Sequence, residues 1–166
     1  FPDVGGGYFL SRCPGRVGEY LALTGLVLKG TQAIGVGLAD AQVDSGRLQS
    51  LWDSLGQTPY ETGEAVQRWC QNHVQKHVEP SGLPLAEIDR VFALDSVGAI
   101  LSALELGDSD WSQQTAAVLR KRSPLMLHVV LEQIRHFAER AKRNPTESEL
   151  RWVYQRLFKS PQRVAL

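Results

Sequence analysis

Hydrophobic and polar residues follow two different patterns on either side of Val43. Before Val43, glycine interrupts the chain every few residues, which is typical of short elements joined by tight turns. One segment there has the spacing of a helix face, and Gly25 directly after it is a common C-terminal stop. The spaced residues are Val17, Tyr20, Leu21 and Thr24. We therefore predict a short helix that ends at Gly25.

The remainder of this glycine-rich part predicts one further helical segment between two extended ones. Leu26–Lys29 is expected to be short and extended. Thr31–Val36 predicts one to two helical turns, which Gly37 stops. Leu38–Val43 alternates weakly between apolar and polar positions, as an edge strand does.

After Val43 the helical period dominates. A first apolar stripe ends at Gly56 and consists of Leu48, Leu51, Trp52 and Leu55. A second stripe predicts a helix from about Thr62 to Val78, which the turn-forming run Glu79–Pro84 breaks. The residues of this second stripe are Ala65, Val66, Trp69, Cys70, His73, Val74 and His77.

Capping residues mark where the later helices begin. The side chains of Ser, Thr and Asp accept hydrogen bonds from first-turn amides, and Pro fits the first helical position. One cap is expected within Asp95–Ser96 and another within Ser109–Asp110. Ser123–Pro124 opens the next helix. Thr146–Glu149 reads as a capping box before a last helix that Pro161 limits.

The composition fits one globular domain, since 43% of the 166 residues are hydrophobic. Roughly two thirds of the unfolded surface can be buried at this length, so neither disulfides nor a structural metal is needed. The 18 Lys and Arg balance the 18 Asp and Glu, which argues against nucleic acid or an anionic membrane as a partner. No apolar run is long enough to span a membrane. The two cysteines favour a reducing compartment: the cytoplasm or, in a eukaryote, the mitochondrial matrix.

Cys70, His73 and His77 recur about one turn apart, a spacing that can hold a metal ion. The zincin pattern of metalloproteases requires Glu where Val74 stands. All three residues lie on the apolar stripe, where packing is the more common role. We therefore favour packing and expect no metal site.

Other signals of catalysis and ligand binding are weak. The sequence has no Gly-x-Ser-x-Gly elbow, and its glycine runs match neither a phosphate-binding loop nor a dinucleotide fingerprint. The basic clusters Lys121–Arg122 and Arg140–Arg143 fit helix C-termini, with contact to a ligand phosphate as the alternative. His128 and His136 have no partner at ligand spacing. The four tryptophans, assigned to core packing or a subunit contact, are Trp52, Trp69, Trp111 and Trp152.

The run Asp3-Val4-Gly5-Gly6-Gly7 is harder to explain by folding rules alone. Asp3 can act as the N-cap of a helix that begins near Gly6. Three consecutive glycines nevertheless cost up to about 1 kcal/mol each in a helical stretch relative to Ala. Close backbone approach or unusual dihedral angles are therefore expected there, and a passing ligand would supply the reason.

Six segments, in this order along the chain, give the sequence a family resemblance. They are Phe1–Leu10, Leu21–Gly25, Leu28–Gly30, Gly37–Ala39, Asp95–Val97 and Arg122–Gln133. Together they closely resemble the C-terminal half of the 3-hydroxyisobutyryl-CoA hydrolase branch of the enoyl-CoA hydratase/isomerase (crotonase) superfamily. The resemblance implies a crotonase-like α/β superhelix in the parent enzyme. This chain is then expected to be mostly α-helical with a few short strands, with a remnant of the α/β core at 1–43 and a helical region at 44–166.

The resemblance also implies a function. In this family the Asp of the Phe-Pro-Asp-Val-Gly-Gly motif lies beside the acyl thioester, so Asp3 is the expected catalytic residue, and Asp3, Gly5 and Gly6 are expected to bind substrate. The implied reaction is hydrolysis of the CoA thioester of a short β-hydroxy acid, such as 3-hydroxyisobutyryl-CoA in valine breakdown. The expected partner is the acyl-CoA substrate, and a homo-oligomer is left open. CoA is part of the substrate, and no separate cofactor is implied.

The sequence also departs from the family pattern. The Glu that the family pairs with this Asp, and the family's oxyanion-hole amides, lie upstream of the position of Phe1, and a further C-terminal stretch is missing. The chain is therefore expected to be truncated and inactive alone. His128 stands where the family usually has Lys, which weakens the case for a phosphate contact. Two alternatives remain open: enoyl-CoA hydration or isomerisation, and a non-enzymatic helical interaction module or degenerate fragment.

Overall fold

The structure, a computed structural model, describes residues 2, 5–57, 59, 61–74 and 81–141, except for the side chains of residues 140 and 141. Helices account for most of this part of the chain. Their bounds are α1 Gly6–Leu10, α2 Val17–Thr24, α3 Gly30–Gly35, α4 Leu48–Gln57, α5 Gly63–His73, α6 Leu85–Phe92, α7 Val97–Glu105, α8 Asp110–Arg120 and α9 Pro124–Ala141. A short 3₁₀ helix, Ser45–Arg47, precedes α4.

The core surrounds α2, in which every residue except Ala22 is buried. Helices α1, α6, α8 and α9 all pack against α2, and Tyr20 on α2 makes an edge-to-face contact with Phe92 on α6. The buried apolar residues are Val17, Tyr20, Leu21, Leu23, Val36, Ile88, Val91, Phe92, Val97, Ile100, Leu104, Ala116, Leu119, Leu127, Val130, Leu131 and Ile134. Burial of these side chains supplies the main driving force that holds α2 between its neighbours.

Local caps explain several helix ends. Ser96 rather than Asp95 caps α7, since its Oγ accepts a hydrogen bond from the amide of Ala99 at 3.1 Å. Ser109 rather than Asp110 caps α8 in the same way. Gly25 ends α2 in the left-handed conformation, with φ 67°. The predicted starts and stops of these helices are confirmed.

One core helix was not predicted. Helix α6 follows Pro84 and buries Ile88, Val91 and Phe92 completely. These three residues have helical spacing. The turn-forming run Glu79–Pro84 directly before them indicated a break in the chain, and the eight-residue helix after it is too short to produce a strong periodic pattern.

The predicted edge strand at Leu38–Val43 is wrong. Among the described residues only Gln42 is assigned a β-bridge, and Leu26–Lys29 has no regular structure either. The amides of Leu38 and Ala39 instead donate to the carbonyl of Ala33, at 2.8 and 3.2 Å. These bonds close the end of α3 through Gly37, so the first two amides of the segment serve a helix cap and not a strand ladder. The mostly helical prediction is confirmed, whereas the part of the chain that the structure describes contains no strand.

Helices α4 and α5 lie apart from this core. Neither contains a buried residue, and Trp52 is 74% exposed. Helix α5 ends at His73, earlier than predicted, because Val74 has an extended backbone. Without a buried face, α5 has little packing energy to extend it. Trp111, in contrast, packs against the core and donates from Nε1 to the hydroxyl of Tyr20 at 3.3 Å.

Several predictions fall outside the described residues. These are the role of His77, the capping box Thr146–Glu149 with its helix, the side chains of the cluster Arg140–Arg143, and Trp152. None of the described helices is long and apolar enough to cross a membrane.

Candidate functional site

The glycine run forms the start of α1. Gly5 is the N-cap residue and has a left-handed backbone, with φ 90° and ψ 1°. Its carbonyl accepts hydrogen bonds from the amides of Tyr8 at 2.9 Å and Phe9 at 3.4 Å. Asp3 lies outside the described residues. Of the three predicted site residues, the structure therefore places Gly5, which is exposed, and Gly6, which is partly exposed.

Gly7 is buried against α9. A Cβ atom at this position would lie 2.8 and 2.9 Å from two ring carbons of Phe137, which is closer than real Cβ contacts. Among the described residues, a Cβ at Gly6 would meet the Cβ of Pro2 alone, at an ordinary 3.4 Å. The expected close approach and unusual dihedral angle are thus both present, at Gly7 and Gly5. The chain's own folding accounts for both without a ligand.

A second contact ties the preceding residues to the same helix. The Nε2 of Gln133 on α9 donates a hydrogen bond to the carbonyl of Pro2 at 3.2 Å. Gln133 Oε1 is buried and has no hydrogen-bond partner among the described residues. Since Gln133 and Phe137 are four positions apart, they lie on the same face of α9. This face of α9 therefore contacts the chain at Pro2 and at Gly7, on either side of Asp3.

The outer surface of α1 is aromatic. Tyr8 and Phe9 are both exposed, and their rings meet edge to face with centroids 5.5 Å apart. The Arg12 guanidinium lies 3.5 Å from the centroid of the Tyr8 ring. This arrangement presents a cation and two rings at the surface beside the glycine run.

The end of α1 is fitted closely to α2 and α6. Gly18 on α2 contacts the carbonyl of Leu10, leaving no room for a side chain. The Asp89 carboxylate on α6 accepts a hydrogen bond from the amide of Arg16, the N-cap residue of α2, at 2.7 Å. Asp89 also contacts Gly15, which has a left-handed backbone with φ 55°. Asp89 thus caps α2 from a neighbouring helix.

Glu19 brings a buried negative charge to the same junction. Its carboxylate pairs with Arg16 Nη1 at 2.7 Å and is almost completely buried. Burial, and to a smaller extent the negative charge of Glu19, raise the pKa of the Cys13 thiol from 9.0 to about 11. Cys13 is therefore a neutral thiol at physiological pH, and it lacks the thiolate character that a nucleophile requires.

The other candidate groups have partners within the fold. The His73 ring stacks on Trp69 with centroids 4.3 Å apart, and its Nδ1 lies 2.7 Å from the Trp69 carbonyl oxygen. In the part of the chain that the structure describes, no group of three or more His, Cys, Asp or Glu residues is placed to hold a metal ion. Arg122 lies at a helix C-terminus, as predicted for its cluster, but the helix that it caps is α2. The Nη2 of Arg122 donates a hydrogen bond to the Thr24 carbonyl at 2.6 Å. His128 is exposed on α9.

The contacts made by Gln133 and Asp89 could not be predicted from local sequence patterns. Gln133 and its acceptor Pro2 are 131 residues apart, and Asp89 and Arg16 are 73 residues apart. A single glutamine or aspartate on a helix has no local spacing signal, because its partner is fixed only when the helices pack. A polar residue between Val130 and Ile134, both buried, is the one indication that this position of α9 is unusual.

Comparison with known proteins places the chain among CoA-ester enzymes and their relatives. The family described as "Enoyl-CoA hydratase/isomerase" matches residues 1–162. The mitochondrial 3-hydroxyisobutyryl-CoA hydrolase of Dictyostelium discoideum is 36% identical over 143 residues, which cover 84% of this chain and 38% of that protein. The small ribosomal subunit protein mS47 of Neurospora crassa is 35% identical over 155 residues, covering 81% of this chain and 30% of that protein.

A solved structure shows the same arrangement of helices. The carnitinyl-CoA dehydratase of Mycobacterium thermoresistibile superimposes with a TM-score of 0.68 at 35% sequence identity. The match covers 83% of this chain and 39% of that one. The chain therefore spans roughly a third of the length of the proteins it matches.

Proposed function

Because the chain belongs to the enoyl-CoA hydratase/isomerase family, we propose that it supplies the Asp3 side of the active site of an acyl-CoA thioester hydrolase. The substrate class is a short β-hydroxyacyl-CoA such as 3-hydroxyisobutyryl-CoA. Six proteins named as hydrolases or probable hydrolases of that substrate, from five organisms, are 32–38% identical to this chain. Several of these names specify mitochondria, which supports the matrix as the compartment if the organism is a eukaryote.

One structural observation carries the proposal. Gly7 is buried under Phe137, whereas Gly5 and Gly6 remain at the surface next to Asp3 in sequence. A backbone without side chains allows a ligand to approach more closely than any other sequence would. Binding by Gly5 and Gly6 is thereby supported.

The chemistry assigned to Asp3 is that of a general base and acid. Its carboxylate takes a proton from a water molecule, whose oxygen adds to the thioester carbonyl carbon. The tetrahedral intermediate then expels the CoA sulfur as the C–S bond breaks, and Asp3 returns the proton to that sulfur. The products are the free β-hydroxy acid and CoA with a thiol. In the family, amides upstream of this sequence stabilise the oxyanion, so activity is expected when the sequence is joined to such a segment.

The experiment uses a chimera in which this sequence replaces the matching segment of the Dictyostelium hydrolase. Release of CoA from 3-hydroxyisobutyryl-CoA is measured with a thiol reagent, and hydration of crotonyl-CoA is measured in parallel from the loss of its enoyl absorbance. We expect CoA release and no hydration. Hydration without CoA release would instead establish the alternative reaction of the same family. The 166-residue chain assayed alone is expected to release no CoA.

A second candidate function is a structural role in a ribosomal subunit. The relatives named mS47 are 33–35% identical to this chain, as similar as several of the hydrolases. Helices α4 and α5, which bury no residue, leave apolar side chains available to a macromolecular partner. Co-sedimentation of the chain with small mitochondrial ribosomal subunits, together with an inactive chimera, would favour this function over the enzyme.

A further inference from the structure

The Phe9 ring lies at the surface directly beside Gly5, a position that the proposed function assigns to the substrate. Phe9 is 60% exposed. A carbon atom placed where a side chain at Gly5 would begin lies 4.0 Å from Cε2 of that ring, an ordinary van der Waals distance. Apart from the chain neighbours of Gly5, no other described residue comes within 4 Å of that point. The Gly5 backbone therefore adjoins a space that can take a ligand carbon atom, with an aromatic ring as one wall.

Neighbouring side chains hold this ring in place. Tyr8 meets Phe9 edge to face, with an interplanar angle of 86° and centroids 5.5 Å apart. Aromatic pairs attract each other in this geometry. The Arg12 guanidinium lies 3.5 Å from the centroid of the Tyr8 ring, and Nη1 of Arg12 donates a hydrogen bond to the Tyr8 carbonyl at 3.4 Å. Tyr8 is thus fixed by a cation and in turn supports Phe9, so the wall beside Gly5 is braced from behind.

Packing within the fold gives Phe9 only a small role. Most of its surface remains in water, so its burial adds little to the stability of the core. An apolar wall beside a bare backbone instead suits a small ligand that has both polar and apolar atoms. A short β-hydroxyacyl group with a methyl branch has this character, since its hydroxyl and thioester oxygens are polar and its methyl group is not. The methyl branch is the part of such a group that gains from contact with the Phe9 ring.

We propose that Phe9 is a specificity-determining residue, whose ring packs against the methyl branch of a 2-methyl-3-hydroxyacyl group such as that of 3-hydroxyisobutyryl-CoA. This inference rests on the proposed hydrolase function and deepens it, because it names the part of the acyl group that the chain distinguishes. The methyl carbon occupies the space beside Gly5 and leaves water for contact with the ring. A single carbon in an apolar site changes kcat/KM by about 10- to 200-fold. One wall that is open on its other sides places the expected preference at the lower end of this range.

The test measures kcat/KM of the chimera for 3-hydroxyisobutyryl-CoA and for 3-hydroxypropionyl-CoA, which lacks only the methyl branch. We expect the unsubstituted chimera to prefer the methylated substrate roughly tenfold. Phe9→Ala and Phe9→Gln both remove the ring and should reduce this preference to about twofold or less, whereas Phe9→Leu keeps an apolar side chain and should retain much of it. The matched control is Trp52→Ala, which removes a 74% exposed ring from α4 and should leave the preference unchanged. Thermal unfolding of the 166-residue variants checks that each one folds.

The outcomes separate the role of Phe9 from the hydrolase function. A folded Phe9→Ala or Phe9→Gln variant that keeps the full preference would overturn the role of Phe9. An active, unsubstituted chimera that turns over both substrates equally would overturn recognition of the methyl group and leave the hydrolase function intact. A loss of preference in Trp52→Ala as large as in Phe9→Ala would show that the ring beside Gly5 has no specific effect. A chimera that releases CoA from neither substrate would overturn the proposed function and this inference with it.

Discussion

Arg122 Nη2 donates a hydrogen bond to the carbonyl oxygen of Thr24 at 2.6 Å, across 98 residues of sequence. Thr24 is the last residue of α2, and Gly25 after it adopts the left-handed conformation that ends the helix. The turn between α8 and α9 thus places a cation at the negative end of the central helix. Two of the segments that carry the family resemblance, Leu21–Gly25 and Arg122–Gln133, meet at this bond.

Replacing Arg122 should destabilise the fold. Arg122→Ala removes a charge-assisted hydrogen bond and leaves a helix-terminal carbonyl without this partner, so we expect a loss of about 1–2 kcal/mol in the free energy of unfolding. Urea denaturation of the 166-residue chain measures it. The matched control is Arg120→Ala, which breaks only an exposed ion pair with Glu105 and should cost less than about 1 kcal/mol. Equal losses for the two variants would contradict the capping role.

The three consecutive glycines should respond differently to alanine. Gly5→Ala places a side chain at φ 90° and should cost roughly 1–2 kcal/mol. Gly7→Ala forces a Cβ against Phe137, and this overpacking should outweigh the gain in helix propensity, leaving a loss of about 1 kcal/mol.

Gly6→Ala is the internal control, since an alanine Cβ there would lie at an ordinary distance of 3.4 Å from Pro2, its one contact among the described residues. It should be neutral or stabilising by up to about 1 kcal/mol. Thermal unfolding of the three variants ranks their stabilities. Stability losses of the same size at positions 6 and 7 would rule out the close α1–α9 contact.

Cys13 should react slowly with thiol reagents. A pKa of about 11 in place of 9.0 lowers the thiolate fraction at pH 8 roughly a hundredfold. The rate of iodoacetamide labelling in a Cys70→Ser background should rise with pH to about 11, and Glu19→Gln should increase labelling at pH 8. Labelling of Cys13 at the rate of a free cysteine would show that the thiol is not buried beside Glu19.

The raised pKa of Cys13 also predicts that the protein loses some stability at alkaline pH. The folded state keeps the Cys13 proton up to a pH of about 11, whereas the unfolded chain releases it near 9.0. The unfolded state therefore binds fewer protons between these values, and stability falls as pH rises through this window. Cys13→Ala should remove this contribution, as seen by comparing urea midpoints at pH 8 and pH 10.5.

Asp89 should stabilise the fold by as much as a helix N-cap does, because it caps α2. Asp89→Ala removes the acceptor for the Arg16 amide, and we expect a loss of about 1 kcal/mol. Asp89→Asn keeps an oxygen acceptor and should retain much of the stability. Asp95→Ala, at an exposed carboxylate that does not cap α7, serves as the control and should be near neutral. A loss at Asp95 as large as at Asp89 would argue against specific capping.

Local signals predicted much of the fold. Ser96, Ser109 and Pro124 mark helix starts because a cap depends only on neighbouring residues, and Gly25 marks a stop for the same reason. The Leu38–Val43 prediction was wrong because a strand depends on a partner that short-range alternation does not specify. The amides of Leu38 and Ala39 cap α3 instead.

The contacts around the candidate site could not be predicted from the sequence. The reason for glycine at position 7 is the ring of Phe137, and the partner of Pro2 is Gln133, both on the last described helix. Such contacts depend on how α9 crosses α1, and no residue pattern within either helix encodes that crossing. The family resemblance supplied Asp3, Gly5 and Gly6 as site residues, and their roles stay predictions.

The most direct test of the account is the turnover of 3-hydroxyisobutyryl-CoA by the chimera before and after Asp3→Asn. Asparagine keeps the shape but cannot accept a proton, so kcat should fall by about 10²-fold or more while KM changes little. Asp108→Asn, at an exposed carboxylate in the turn between α7 and α8, should leave kcat within twofold. A kcat for Asp3→Asn equal to that of the Asp108 control would show that Asp3 has no part in the chemistry.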